Sequence, residues 1–369
     1  MKKSISILLL LFALLDTQAQ ELALVRTGDK FGYINKTGTF VIGPKFSKAK
    51  SFSNGYAAVN EGGKWGFINT KGELAIPAVY DEVKYFDSGL CVVSKDKKWQ
   101  YIDTKGNVVT MPASEKVYDF ENGLAYIKTG DKIGLINPKG QVVLPPTYQV
   151  IKPFEGGFAR AKLGEKWGLI DILGQLVVEP IYDEIGQYTS GTTWVKKGEE
   201  FGVLRMGKFT AISGVDKIWD FEANELTYAR KDKKIGFIDR GGKWVIEPRF
   251  EKARAFSKGL APVAIGEKWG YVNSTGKVII EPIYNDAEEF SADGLAPVKQ
   301  ENWGFIDLTG KLVIPAKYEI TAGNFAFLSG KIDQKGFIKG LARVKDGKKW
   351  TFIDTKGKAI GNELFDNVE

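Results

Sequence analysis

Three kinds of residue recur in this 369-residue chain at spacings that could do chemistry. A lysine returns at one fixed interval, or a multiple of it: Lys30, Lys64, Lys98, Lys132, Lys166, Lys234 and Lys268, with Lys349 after a longer gap. Stacked in register, these side chains form a basic stripe suited to an acidic partner. An Asp or Asn follows five residues after each of them, as at Asn69, Asp171, Asn273 and Asp354, and a Gly stands three residues further on. Asp or Asn at the first position and Gly at the fourth is the preference of a type I turn, so these carboxylates and amides are turn formers before they are ligands. Vicinal acids occur at Asp81-Glu82, Asp183-Glu184 and Glu288-Glu289. Neighbours in extended chain point to opposite faces, so none of these pairs can act as a glycosidase couple by itself.

The remaining catalytic repertoire is thin. Histidine is absent, which removes the usual base at neutral pH and the commonest transition-metal ligand. No Gly-rich loop ends in Lys-Ser or Lys-Thr, so no nucleotide site is expected. Cys91 is the single cysteine and fills the small apolar slot of a Leu-Ala-x-Val pattern, the place of a core residue. We expect no catalytic residues, no metal and no cofactor.

These residues are positioned by a repeat. The lysine precedes an anchor that falls at Phe31, Trp65, Trp99, Ile133, Trp167, Phe201, Ile235, Trp269 and Trp303, an unbroken period of 34, and at Trp350 after 47. A Gly follows most anchors, including Gly66, Gly168, Gly270 and Gly304. A Gly between two aromatic positions implies that another backbone or ring presses close. Periods of roughly 20 to 50 residues mean solenoids, propellers or arrays. Within a unit, short β-branched and aromatic runs alternate with Gly turns, as in Leu260–Val263, Trp269–Asn273 and Val278–Glu281. That is a meander of about three strands. A Pro recurs near the end of the third strand, as at Pro77, Pro180 and Pro282. A Tyr or Phe follows in most units, at Phe46, Tyr80, Tyr148, Tyr182, Phe250, Tyr284 and Tyr318. These aromatics are expected to pack between stacked units. A tryptophan ladder suited to glycans is the alternative use of the anchors.

The copies look whole at both ends, and the period is short for a four-stranded blade. The expected fold is therefore all-β, with tandem β-meanders stacked as an open solenoid or superhelix. The alternative is a propeller-like ring. Residues 1–19 read as a signal peptide: Lys2 and Lys3 precede an apolar run from Ile5 to Leu15 too short to span a bilayer. Residues 20–369 form the array, with an extended connector at about 316–340. The mature chain is expected in the periplasm or outside the cell, with no transmembrane segment. Setting aside Lys2, Lys3 and Asp16 leaves 50 basic against 44 acidic residues, a modest excess. The sixth unit departs from the pattern: Phe201-Gly202 lacks the Trp, and Trp194 and Trp219 stand off the repeat. A function outside the repeat would sit there or in the long connector.

The triplets Lys64-Trp65-Gly66, Lys166-Trp167-Gly168 and Lys268-Trp269-Gly270, each followed by the Gly turn and the Pro-ended strand, resemble the WG-repeat (KWG-repeat) family of bacterial proteins. The resemblance covers nearly all of residues 21–369. It implies repeated β-hairpin units, often in exported or envelope-associated proteins, and no common catalytic activity. Together these features point to an exported, non-catalytic module that binds a protein or an acidic envelope polymer. A glycan-binding protein is the alternative, and a hydrolase built on the sixth unit is more distant.

Overall fold

The computed structural model describes residues 22–222, 224–320, 335–361 and 364–368. The expected leader and most of the long connector lie outside these residues. Every element described is β, arranged as ten small antiparallel sheets. Blade 8 shows the plan. Strand a is Lys252–Ala253, b is Leu260–Ile265, c is Lys268–Asn273 and d is Val278–Tyr284. The Asn273 turn joins c to d, with Gly276 at φ +83°, where a side chain would be strained. The anchor sits at the start of c, so Trp269 faces Ala264 on one side and Tyr284 on the other.

Strand d carries the feature that explains the Gly of the anchor. Trp269 pairs with Tyr284 and Tyr271 with Ile280, so two extra residues bulge out between those rungs. Pro282, which has no N–H to offer the ladder, lies in that bulge. The bulge backbone presses onto Gly270: a Cβ there would stand 2.5 Å from the Ile280 oxygen and 2.8 Å from the Pro282 nitrogen. Gly66 and Gly304 meet the same obstruction. The two units without the Gly are informative. Blade 3 carries Gln100 and blade 10 carries Thr351, and among the described residues neither has the long d strand of blade 8.

The aromatic after the Pro closes seven of the blades. Phe46, Tyr80, Tyr148, Tyr182, Phe250, Tyr284 and Tyr318 pair across the anchor and are buried. In blade 10 Phe365 takes that role opposite Trp350. Apolar clusters then straddle neighbours, joining Tyr271 and Ile280 of blade 8 to Phe290 and Val298 of blade 9. Tyr271–Phe290, Phe67–Phe86 and Phe305–Phe337 ring centroids lie 5.1, 4.9 and 4.8 Å apart. Cys91 is buried in one such cluster, and burial pushes its thiol up to about 12.

The chain forms a ten-bladed propeller ring, which corrects the expectation of an open solenoid. The last strand, Asn367–Val368, pairs antiparallel with Ala23–Thr27 and completes the first sheet. Phe352 and Phe365 share a cluster with Ala23, Val25 and Ile34. One blade is thus divided between the two ends of the chain. The divided strand is two residues long and carries no motif, so the copies look whole in sequence. The short period suffices for four strands because strand a is this brief and follows strand d after a single residue, as Glu82 follows Tyr80 across Asp81.

Candidate functional site

The recurring polar residues are largely occupied by the fold. Asn273 Oδ1 accepts from the N–H groups of Thr275 at 3.1 Å and Lys277 at 3.0 Å. Asp171 Oδ1 accepts from Leu173 at 2.9 Å and Gln175 at 2.8 Å. These are the turn caps the spacing implied. Among the described residues no group of three His, Cys, Asp or Glu side chains is arranged to hold a metal ion.

Five of the eight stripe lysines are engaged at the surface by the chain's own polar groups. Lys166 Nζ donates to Asp183 Oδ1 at 2.5 Å, and Asp183 Oδ2 accepts from Gly198 N–H of the next blade at 2.8 Å. Lys234 holds Glu251 at 2.6 Å, and Glu251 accepts from Gly266 at 3.1 Å. Lys268 donates to Asn285 at 2.6 Å, and Lys64 holds Asp81. The ring closure repeats the device, with Lys349 on Asp366 at 2.6 Å and Gly28 N–H on the same carboxylate at 3.0 Å. One carboxylate or amide thus ties strand c of one blade to the b–c turn of the next. The lysine partners hold the Asp81, Asp183, Glu251 and Asp366 carboxyls below their ordinary range. Lys30 lies 4.0 Å from Asp29, and among the described residues no such bond ties Lys98 or Lys132.

Several anchor rings are covered too. Arg254 lies 4.5 Å over Trp269, Lys335 4.8 Å over Trp303, Lys50 5.6 Å over Trp65 and Arg343 5.0 Å over Trp350. Trp167 is half-buried with no such cover among the described residues, whereas Trp99 is 40% exposed.

A residue that departs from the repeat, Trp219, lies on blade 7 beside its neighbour, blade 8. Trp219 stacks on Tyr228 with ring centroids 4.6 Å apart, and Lys217 Nζ lies 4.4 Å over Trp219. Beside them Arg254 bonds Asp286 Oδ1 at 3.0 Å and the Ala287 carbonyl, and its Nε lies 3.2 Å from Glu288. Trp219, Tyr228, Lys252, Arg254, Trp269 and Asp286 line an open cleft of about 490 Å³. Two departures noted in the sequence reach this neighbourhood. The sixth unit supplies Trp219, and Lys335, from the long connector, bonds Glu288 at 2.7 Å. Trp194 is fixed separately, its Nε1 donating to Asp220 at 2.7 Å.

The vicinal acids separate as extended chain requires. Glu288 faces Arg254 and Lys335, while Glu289 accepts from Ala255 N–H at 3.0 Å. Burial, then Glu222, push the Glu289 carboxyl up to about 7. Glu222 is itself raised, by desolvation and by Asp220. Sequence reasoning missed Tyr228 and Arg254, because each sits at a repeat position and only its neighbours are unusual.

The pattern described as WG containing repeat matches residues 31–65, 65–99, 101–132, 133–167, 167–201, 235–269, 269–302 and 303–326. The interval it passes over, 202–234, holds the broken unit. No curated protein matches. Among solved structures, a eukaryotic initiation factor superposes with a TM-score of 0.51 at 12% identity, covering 95% of this chain and 97% of that one. The tricorn protease matches with a TM-score of 0.24 at 14% identity, over 92% of this chain and 44% of that one. At such identities the first likeness concerns the fold alone, and the second carries no argument. With eight copies of the pattern spread from residue 31 to residue 326, the chain belongs to the WG-repeat family.

Proposed function

We propose that this ring is an exported, non-catalytic interaction module that takes an acidic segment of a partner protein in the cleft between blades 7 and 8. The observation that carries this reading is the cleft itself. Lys217, Lys252 and Arg254 stand around the stacked Trp219 and Tyr228, of which Trp219 is off the repeat. Arg254 is held by Asp286 and Glu288, whereas among the described residues no ion pair engages Lys217 or Lys252. Aromatic faces beside cations suit a chain with acidic and apolar groups in alternation. The basic stripe is the second reading, now centred on Lys98 and Lys132.

A titration with an oligoglutamate peptide at rising salt tests both. Binding that weakens with salt and is lost in Lys217→Glu with Lys252→Glu supports the cleft. Loss in Lys98→Glu with Lys132→Glu instead moves the site to the stripe. Binding of a polyanionic glycan in place of the peptide would reassign the partner to an envelope polymer.

A further inference from the structure

Blade 3 breaks the repeat in a second way, independent of the cleft between blades 7 and 8. Its d strand is only Val108–Val109, paired without a bulge to Ile102 and Tyr101. The chain then runs irregularly from residue 110 to residue 120. The position that holds a buried Tyr or Phe opposite the anchor in eight blades is here Ser114, fifteen residues after Trp99. Blade 6 also lacks that aromatic, but Ile212 is buried there and donates its N–H to the carbonyl of the Phe201 anchor at 2.9 Å. In blade 3 Met111 and Val117 are only partly buried against the neighbouring cluster, and no d-strand residue pairs with the anchor. Ser114 Oγ is held locally, donating to the Lys116 carbonyl at 2.7 Å and accepting from Lys128 N–H at 2.9 Å.

The missing ring leaves an open cleft of about 200 Å³. Its walls are Trp99, Tyr101, Met111, Val117, Ile127 and Ile136, with Gln100, Ser114 and Lys116 also lining it. Trp99 is 40% exposed there, whereas its counterparts Trp269 and Trp303 are 7% exposed. A space shaped by the loss of a side chain, with apolar walls and polar groups beside them, accepts a small molecule of that side chain's shape. We propose that this cleft binds a single aromatic ring of the phenol type, taking from a ligand the group that the other blades supply from their own chain. The ring lies between Trp99 and the Ile127–Ile136 wall, and a polar substituent meets Gln100 and Lys116.

The probe is p-cresol, the side chain of tyrosine without its backbone, titrated by calorimetry against the full-length protein. One-to-one binding is expected. In Ser114→Tyr, which restores the repeat, affinity falls about tenfold or more. Met111→Trp, which fills the cleft from another wall, does the same and carries the test if the first variant melts without cooperativity. No binding to the wild type, or equal binding in the filled variants, overturns the proposal. A second arm uses N-acetyl-tyrosinamide. Affinity equal to that of p-cresol assigns the ring to a partner's tyrosine, and weaker affinity assigns it to a free phenol.

Discussion

Blades 8 and 3 carry the same anchor residue and treat it differently. Trp269 is buried between Ala264, Tyr284 and the Arg254 guanidinium. Trp99 pairs with Ser94 on one side, and no described strand pairs with it on the other. The tryptophan is therefore not what builds the blade. The bulged d strand delivers the closing aromatic and seals the anchor, although blades 3 and 6 still form four-stranded sheets without it. Gly and Pro serve that bulge: the Pro terminates pairing within it and the Gly makes room beneath it. In blade 3, where the bulge is absent, a glutamine is accommodated in place of the Gly, whereas the unbulged blade 6 keeps Gly202 beneath the Thr210 carbonyl.

This contrast can be broken by exchanging its parts. Tyr284→Ser copies blade 3 into blade 8, and we expect a loss of about 3–5 kcal/mol, as for other large-to-small changes in cores. Urea unfolding measures it, and a loss below about 1 kcal/mol would show that the closing aromatic is dispensable. Next in size is Gly270→Ala, which drives a Cβ into the Ile280 and Pro282 backbone and is expected to cost about 1–3 kcal/mol. Gln100→Ala, its partner in the comparison, should stay within about 0.5 kcal/mol. Equal costs at the two positions would remove the bulge from the explanation.

Two smaller effects are read against pH. The Glu289 carboxyl is raised to about 7, so the folded state holds a proton that the unfolded chain gives up near its ordinary value of about 4.3. Stability should fall as pH rises between those values, and Glu289→Gln should flatten that part of the profile of melting temperature against pH. The carboxylates that join blades behave in the opposite sense. Asp183 is lowered by Lys166, so its contribution is present above about pH 4 and disappears as pH falls through the lowered value. Asp183→Asn should make the acid limb of the profile shallower while leaving the Glu289 region unchanged. An unaltered acid limb would mean that solvent screens the pair completely.

Much of the unit is legible in the sequence. The Asn and Asp turn caps act within five residues of themselves, and local chemistry of that kind can be read from spacing alone. The same holds for Gly66 and Gly270, whose position between two aromatic residues already implied a close neighbour. The constant period showed that the units stack, and the failed copy around Phe201–Met206 pointed to the region where Trp219 and Tyr228 now form a cleft wall. The lysine stripe shows the limit of spacing. Lys166 and Asp183 stand half a repeat apart in the chain, and only the transition from one blade to the next brings them together, so their tie between blades could not be read from spacing.

By itself, then, the sequence determined an all-β repeat, its turns, its aromatic layers and the places where the pattern fails, because each depends on contacts within one unit or on its faithful copy. Ring closure was decided by tertiary structure alone. Whether ten units curl shut depends on the small rotation accumulated at every junction, and no single residue encodes that sum. Its local trace is the pairing of Asn367 and Val368 with Arg26 and Val25, two residues against two at opposite ends of the chain. The cleft beside Trp99 has the same origin. An absent side chain becomes a cavity only when the neighbouring blade stands where it cannot collapse into the space.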